Sequence, residues 1–281
     1  MNTDNCANPA AAFSPNDNRS AESIAEFRNL HRAGGLLFLG NAWDVASAIA
    51  LEQAGFAAIG TTSYGIAEAL GMRDGENVPF ERHVSIVRDI VARVGIPVSA
   101  DIEAGYASSD ADIVDNALRI ADAGAAGLNI EDSPKNLKTL RDAAEQARLL
   151  SKLRSALDAR GFEGFFVNAR TDTYLTPSVS DPLAETLLRA QAYASSGADG
   201  IFVPGLSADA DIAAVASASA IPLNVMSLPG LTSTRHLQKL GVRRFSFGNA
   251  LADLSLAFIQ KAANELLHDQ NTESLYSHLP R

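Results

Sequence analysis

The order of apolar and polar residues along the chain predicts strands that alternate with helices. Short runs of branched apolar and small residues, typical of buried strands, recur near 36–39, 57–60, 98–101, 127–130, 165–169, 200–203, 222–225 and 244–247. The segments between them carry apolar residues at helical spacing. Alternating strands and helices build a parallel sheet, and eight such units predict an α/β fold, a (β/α)8 TIM barrel. The alternative is an open doubly wound sheet, although no GxGxxG sequence follows the first strand.

Residues at the ends of the predicted helices support this division. Glycines that stand between a helical segment and a strand are expected to take a left-handed φ, and they are Gly55, Gly124, Gly197 and Gly241. Ser109 and Asp181 stand where helix N-caps are expected, and Pro182 follows at the first helical position.

The barrel is predicted to fill one domain, residues 21–270. An extra helix near 21–33 precedes the first strand, and another near 250–268 follows the last. Residues 1–20 are interpreted as a flexible tail, and residues 271–281 as a polar C-terminal tail.

Composition narrows the classes of partner and compartment. The net charge of −10 argues against nucleic acid or an anionic membrane as a partner, and no apolar run is long enough to span a bilayer. The single cysteine, Cys6, allows no disulfide within one chain, which fits a reducing cytoplasm. The first 20 residues lack the pattern of a secretory signal, so a cytoplasmic location is expected.

Acidic residues gather where the predicted strands end. Asp101 and Glu103 follow strand 3 two residues apart, so they share a side, and Glu131 follows strand 4. Active sites of TIM barrels lie at this end of the strands. Oxygen ligands without paired His or Cys suit Mg²⁺ or Mn²⁺. The alternative is that these acids cap helices or pair with arginines.

Other strand ends offer groups that could bind a substrate. Arg170, inside the sequence NARTD, could hold a carboxylate by two parallel hydrogen bonds, or it could form an ion pair with Glu131 or Asp101. Asn224 ends strand 7 and is a further substrate-binding candidate.

The loops after strands 1 and 2 give less specific signals. Backbone amides of Ser63, Tyr64 and Gly65 could bind a carboxylate or an enolate oxygen, or they could belong to an ordinary loop. Trp43 either walls the substrate pocket or packs at its rim, and Asp44 either contacts substrate or caps the next helix. No histidine stands at a strand end, so none is assigned a catalytic role.

Several of these motifs resemble the isocitrate lyase / phosphoenolpyruvate mutase superfamily. They occur in family order and are GNAWD (40–44), GTTSYG (60–65), LGMRDG (70–75), ADIEAGY (100–106), NIEDS (129–133) and VNARTD (167–172). The resemblance covers about residues 20 to 270 and implies a Mg²⁺-dependent TIM barrel that acts on 2-oxo or 2-hydroxy acids through a pyruvate enolate or a related intermediate.

The resemblance also implies roles for particular residues. Asp101 matches the direct metal ligand, and Asp74, Glu103 and Glu131 match the acids that hold the metal's waters. Arg170 matches the arginine that grips the substrate.

The family furthermore implies contacts and an assembly. Ser63 and Tyr64 fall where the family lays backbone amides against the oxo acid. Members are usually homotetramers, dimers of dimers, in which a terminal helix is exchanged between subunits. The helix near 250–268 is the candidate for that exchange.

Departures from the family pattern limit the reaction. Isocitrate and methylisocitrate lyases carry a lid with Cys and His after strand 4, whereas the segment 131–146 here has neither. Lys135 and Asn136 could match the Lys and Asn of the mutase lid, but Val203, Pro204 and Gly205 stand where the mutases have a histidine.

Three functions remain open from the sequence. The first is a Mg²⁺-dependent lyase that cleaves a C–C bond or decarboxylates a small 2-oxo or 2-hydroxy acid, with Arg170, Asp74, Tyr64 and Lys135 as catalytic candidates. The second is P–C bond chemistry of the phosphoenolpyruvate mutase or phosphonopyruvate hydrolase type. The third is a protein that binds 2-oxo acids without converting them.

Overall fold

The barrel is closed. The computed structural model describes residues 17–134 and 139–276. Its eight strands are β1 (Leu37–Ala42), β2 (Ile59–Thr61), β3 (Val98–Asp101), β4 (Gly127–Glu131), β5 (Phe166–Arg170), β6 (Gly200–Phe202), β7 (Leu223–Met226) and β8 (Arg244–Ser246). Neighbouring strands pair in parallel in chain order, and β8 pairs with β1. The (β/α)8 prediction is therefore confirmed, and the open sheet is excluded.

Helices follow the strands and cover the outside of the barrel. They are α1 (Asp17–Arg32), α2 (Val45–Gln53), α3 (Ser63–Ala69), α4 (Phe80–Val91), α5 (Asp110–Asp122), α6 (Ala143–Ala159), α7 (Pro182–Ser195), α8 (Asp209–Ala218), α9 (Thr234–Lys239) and α10 (Ala250–Asp269), and a 3₁₀ turn spans Glu273–Tyr276. The tail predicted for residues 1–20 ends too late, because α1 already begins at Asp17. None of the helices in the described ranges could cross a bilayer.

The predicted helix ends are confirmed. The glycines before β2, β4, β6 and β8 have φ between 91° and 94°, and they are Gly55, Gly124, Gly197 and Gly241. Ser109 accepts a hydrogen bond from the amide of Asp112, and Asp181 from that of Ala184. Each cap satisfies an amide that the first helical turn leaves without a partner.

Helix α1 closes the amino end of the barrel. Phe27 is fully buried, and its ring meets that of Phe166 edge-on, 5.5 Å between centroids. His31 stacks on the same ring at 3.9 Å, and its Nδ1 donates to the carbonyl of Phe27. Burial, aided by the charge of Arg244, lowers the pKa of His31 to about 3, so the ring is neutral.

Polar residues face the barrel axis near its carboxyl end, whereas apolar residues face the helices. On β4 and β5 the apolar set is Leu128, Ile130, Val167 and Ala169, all fully buried. The alternate residues make polar contacts inside the barrel, and they are Asn129, Glu131, Asn168 and Arg170. Because strand side chains alternate between faces, one strand supplies both the core and the site.

Candidate active site at the carboxyl end of the barrel

A cavity of about 170 Å³ lies at the carboxyl ends of the strands. Most of the predicted site residues line it together, namely Ser63, Tyr64, Asp74, Asp101, Glu103, Glu131 and Arg170. They come from four different strand–helix connections or strand ends, so closure of the barrel is what brings them to one place.

Asp101 is buried in the wall of this cavity. Its Oδ2 accepts a hydrogen bond from the Ser63 hydroxyl at 2.9 Å, and its backbone amide donates to the Thr61 hydroxyl at 2.9 Å. Its Oδ1 is buried and has no hydrogen-bond partner among the described residues. A buried carboxylate oxygen without a donor is costly, and a cation in the cavity would satisfy it.

Glu103 is held by the loop that also carries Asp74. Both of its carboxylate oxygens lie 3.0 Å from the amide of Glu76, and the Tyr106 hydroxyl donates to it at 2.8 Å. Glu76 in turn accepts from the Tyr106 amide. Burial raises the pKa of Glu103 to about 7. Glu76, Glu103 and Tyr106 all have φ between 49° and 60°, a strained conformation for residues with side chains.

Arg170 is an ion-pair partner of two carboxylates. Its Nη1 lies 3.0 Å from Glu131 Oε2, while its Nε and Nη2 donate to the two oxygens of Asp172 at 2.7 and 3.0 Å. Burial alone would lower the pKa of Arg170, but these carboxylates raise it, so the guanidinium is charged. The ion pair foreseen with Glu131 is present. Asp172 received no role from the sequence, although its place two residues after Arg170 was a usable signal.

Asp132 points away from the cavity and fixes the β4–α6 connection. It accepts hydrogen bonds from Arg189 Nη1 at 2.9 Å and from the Tyr193 hydroxyl at 2.7 Å, both on α7. Its carbonyl accepts from the Arg141 amide at the far end of the connection. The catalytic candidate Lys135 lies between these anchors, in residues 135–138, outside the described residues.

The structure places three predicted substrate contacts elsewhere. Asp44 caps α2, since its carboxylate accepts from the Ser47 amide at 2.7 Å. Trp43 packs against the cluster around Ile66 rather than lining the cavity. A Cβ on Gly65 would lie 3.0 Å from Trp43, so this glycine permits close packing at the start of α3. The capping alternative is therefore correct for Asp44 and the packing alternative for Trp43, whereas Gly65 lies in helix α3 rather than in an ordinary loop.

Tyr64 stands at the mouth of the cavity. Its side chain is 41% exposed, and the carboxylate of Glu68 raises its pKa. The phenol is therefore protonated at neutral pH, and it can donate a proton or a hydrogen bond.

A buried arginine lies beneath the acids. Arg244 on β8 is 2% exposed, and its Nη2 donates to Asn129 Oδ1 at 3.2 Å. Burial lowers its pKa to about 9, and Asp101 opposes that shift. Asn224, predicted to bind substrate, is its register partner on β7 and does not line the cavity. The sequence interpretation missed Arg244, although a charged residue inside the strand run VRRFSF was a visible signal.

The donor set fits a divalent cation held mainly through water. Five carboxylates in or beside the cavity face two guanidinium groups, and they are Asp74, Asp101, Glu103, Glu131 and Asp172 against Arg170 and Arg244. Within residues 17–134 and 139–276, no three acidic, His or Cys side chains are placed to ligate one ion directly. One direct carboxylate and several that contact the ion's waters is the arrangement that Mg²⁺ favours.

Comparisons of the sequence and of the structure with known proteins find related proteins over most of the chain. The family model described as phosphoenolpyruvate phosphomutase matches residues 27–267. An uncharacterized protein of Mycobacterium tuberculosis is 37% identical over 79% of this chain and 81% of its own. The 2,3-dimethylmalate lyase of Eubacterium barkeri is 28% identical over 64% and 63% of the two chains. The structure of a candidate phosphonomutase from Burkholderia cenocepacia is 38% identical, with a TM-score of 0.83 over 86% of this chain and 99% of that one.

Proposed function

Because the chain belongs to the phosphoenolpyruvate phosphomutase family, we propose that it is a Mg²⁺-dependent lyase that cleaves a C–C bond of a small 2-oxo or 2-hydroxy acid. The observation that carries the proposal is the cavity itself, where a buried, unsatisfied Asp101 oxygen faces the one cation among the described lining residues, Arg170. Members of the family are lyases or mutases, which supports an enzyme of one of these two classes.

In this proposal Asp101 ligates the metal, and Asp74, Glu103 and Glu131 hold its waters. When bound, Mg²⁺ would polarise the oxygen on the 2-carbon of the acid and stabilise the negative charge of an enolate. Ser63 orients Asp101 by its hydroxyl, and the Glu76 and Tyr106 hydrogen bonds keep Glu103 in place. The residues present therefore match the donor set that such an ion requires.

Arg170 would orient the substrate carboxylate. Asp172 already occupies its Nε and Nη2 edge, so a substrate would compete with Glu131 for Nη1. The two hydrogen bonds to Asp172 fix the orientation of the guanidinium group. Nη1 could then exchange Glu131 for the substrate carboxylate without rotation of the group. Tyr64 is the candidate proton donor at the mouth, because its hydroxyl is exposed and protonated.

The charge of the cavity favours a carboxylate over a phosphonate. A phosphonopyruvate substrate brings a phosphonate dianion in addition to its carboxylate, and such dianions are bound by clusters of cations and donors. Among the described residues that line the cavity, Arg170 is the one cation. We therefore place C–C cleavage before P–C chemistry.

The test is a product assay on the purified protein with Mg²⁺ and four acids, which are oxaloacetate, 2-methylmalate, 2,3-dimethylmalate and phosphonopyruvate. We expect pyruvate from at least one of the first three and none after chelation of the metal. The Asp101→Asn protein, which this proposal predicts to be inactive, corrects for spontaneous decay of oxaloacetate. Phosphorus NMR that shows conversion of phosphonopyruvate alone would support the mutase or hydrolase reaction instead. Mg²⁺-dependent binding of 2-oxo acids without any product would indicate a binding protein.

A further inference from the structure

Arg244 is buried and forms no ion pair within the described part of the chain. It lies on β8, 2% exposed, and its guanidinium stacks 5.7 Å from the centroid of the Phe27 ring on α1, which closes the amino end of the barrel. Its Nη2 donates to Asn129 Oδ1 at 3.2 Å, whereas its Nε and Nη1 have no hydrogen-bond partner among the described residues. A buried guanidinium without a counter-ion is costly, so stability does not explain its presence.

The contact with Arg244 decides which way the amide of Asn129 points. A guanidinium group has donors only, so the Asn129 atom that faces it must be the oxygen. Asn168 supports the same orientation, because its Nδ2 donates to Asn129 Oδ1 at 2.8 Å. Gly200 on β6 leaves room for Asn168, since a Cβ there would lie 2.7 Å from Asn168 Oδ1. The oxygen of Asn129 is therefore taken by two donors inside the barrel.

The nitrogen of the same amide is left for the cavity. Asn129 lines the cavity, and its register partners are Asp101 on β3 and Asn168 on β5. Its Nδ2 has no acceptor among the described residues and is not fully buried. An amide oxygen would suit Mg²⁺ as a ligand, but this oxygen already accepts two hydrogen bonds. Asn129 therefore offers the cavity a hydrogen-bond donor, although it stands beside the acids.

We propose that Arg244 is a positioning residue that acts through Asn129 and so presents a hydrogen-bond donor to an oxygen of the bound acid. The inference rests on the proposed function, because it takes the ligand to be a small 2-oxo or 2-hydroxy acid. Such an acid brings negative oxygens into a cavity that carboxylates line, so a fixed donor stabilises it. The reversed amide would instead present an oxygen, which repels the acid and attracts the metal.

Asn129→Asp tests the donor while the contacts beneath it are kept. The carboxylate has the size of the amide and still accepts from Arg244 and Asn168, but it presents an oxygen to the cavity. Calorimetry at saturating Mg²⁺ gives the affinity for pyruvate, and a separate titration gives the affinity for Mg²⁺. We expect the pyruvate affinity to fall at least about tenfold while the Mg²⁺ affinity does not fall. Loss of both affinities, or of neither, would overturn the inference.

Arg244→Met tests whether this arginine acts through Asn129. The substitution is made in the wild type and in Asn129→Ala, and the pyruvate affinity is measured at saturating Mg²⁺. We expect a loss of at least about fivefold in the wild type and of less than about twofold in Asn129→Ala, where no amide is left to orient. Equal losses would mean that Arg244 acts by its charge alone, which overturns the inference. Arg243→Met, whose side chain donates to the Gly34 carbonyl, is the matched control and should bind pyruvate as the wild type does.

Turnover separates failure of this inference from failure of the proposed function. If the wild type cleaves an acid of the product assay, but Asn129→Asp and Arg244→Met bind pyruvate as the wild type does, the inference alone is wrong. If both variants lose pyruvate affinity as expected and no acid is cleaved, the lyase proposal fails and the inference stands. If Arg244→Met does not fold, Asn129→Asp decides. A wild-type protein that binds no pyruvate in the presence of Mg²⁺ would overturn the inference.

Discussion

Asp101 combines deep burial with an oxygen that the protein leaves unsatisfied. The Ser63 hydroxyl and the Thr61 hydroxyl orient this residue, but neither reaches its Oδ1. Buried polar atoms in folded proteins almost always have a hydrogen-bond partner. The unsatisfied Oδ1 therefore indicates that Asp101 binds a ligand. Arg170 shows the opposite case, because both edges of its guanidinium contact carboxylates of the protein.

Replacing Asp101 by Asn should remove metal binding while the fold is retained. The amide keeps the size of the side chain but brings no charge to an ion, so we expect the affinity for Mg²⁺ to fall at least about 100-fold. Calorimetric titration with Mg²⁺ measures the loss. Asp89→Asn, an exposed position on the outer side of α4, is the matched control. Unchanged Mg²⁺ affinity in the Asp101 variant would remove this residue from its proposed role.

The neutral His31 should make stability depend on pH. Its folded pKa, about 3, lies below the ordinary value of 6.5, and the charges that face it, Arg244 on β8 and Arg28 on α1, are both positive. The unfolded chain therefore binds a proton first as pH falls. The contribution to stability is complete above pH 6.5 and declines toward pH 3, by up to about 1.4 kcal/mol per pH unit.

The matched variant for this effect is His31→Phe, which keeps a ring against Phe166 and removes the titration. Urea unfolding at pH 7, 6, 5 and 4.5 gives the free energy of unfolding for both proteins. We expect the difference between wild type and variant to change by up to about 1.4 kcal/mol per pH unit below pH 6. Parallel curves for the two proteins would contradict the assignment of a neutral, buried ring.

At the scale of elements, the β4–α6 connection is held at both ends although its centre lies outside the described residues. Asp132 and Arg141 meet at its base, and Arg189 on α7 contacts both, donating to the Asp132 carboxylate and the Arg141 carbonyl at 2.9 Å. This arrangement fixes the two chain ends between which Lys135 lies. Helix α7 therefore ties together the two described ends of the connection.

Arg189→Met should destabilise the protein markedly. The variant leaves the Asp132 carboxylate buried without its cation, which costs about 3–5 kcal/mol in comparable pairs. The free energy of unfolding in urea measures the effect. Arg148→Met on α6, with a 64% exposed side chain, is the control and should change stability by less than about 0.5 kcal/mol. Equal effects of the two substitutions would show that the Asp132 contacts contribute little.

At the scale of the whole molecule, α10 packs on the barrel through Leu251 and the buried Ala252, and most of its later residues are exposed. Several of its large apolar side chains are between 47% and 73% exposed, and they are Leu254, Leu256, Phe258, Ile259 and Leu267. Several large exposed apolar side chains on one helix indicate a surface that contacts another protein chain. We propose, as the family resemblance implies, that α10 is exchanged between subunits of a homotetramer.

Charged substitutions on α10 should break that assembly. Leu254→Glu with Phe258→Glu places two carboxylates one turn apart on the helix, so we expect light scattering to show a smaller species than the wild type. Lys261→Gln, 75% exposed on the same helix, should leave the mass unchanged. A monomeric wild-type protein at micromolar concentration would contradict the exchange.

The sequence alone determined the order of the elements and the identity of most candidate site residues. Strand runs, helix caps and the glycines before strands are read from neighbouring residues, and these local rules were enough for the closed barrel. The acids at the ends of β3 and β4 were also predictable, because parallel strands in a barrel deliver their carboxyl ends to one rim.

Only the tertiary structure decided which of the polar residues contact one another. Asp44 caps a helix, Asp172 forms an ion pair with Arg170, and Arg244 lies beneath the acids. From the sequence alone, each of these charged residues could equally have capped a helix, formed an ion pair or bound a ligand. Leu175 and Met226 line the same cavity although 51 positions of chain separate them. Such contacts depend on how the barrel closes and where each side chain then points, and neither property is contained in the pattern around a single residue.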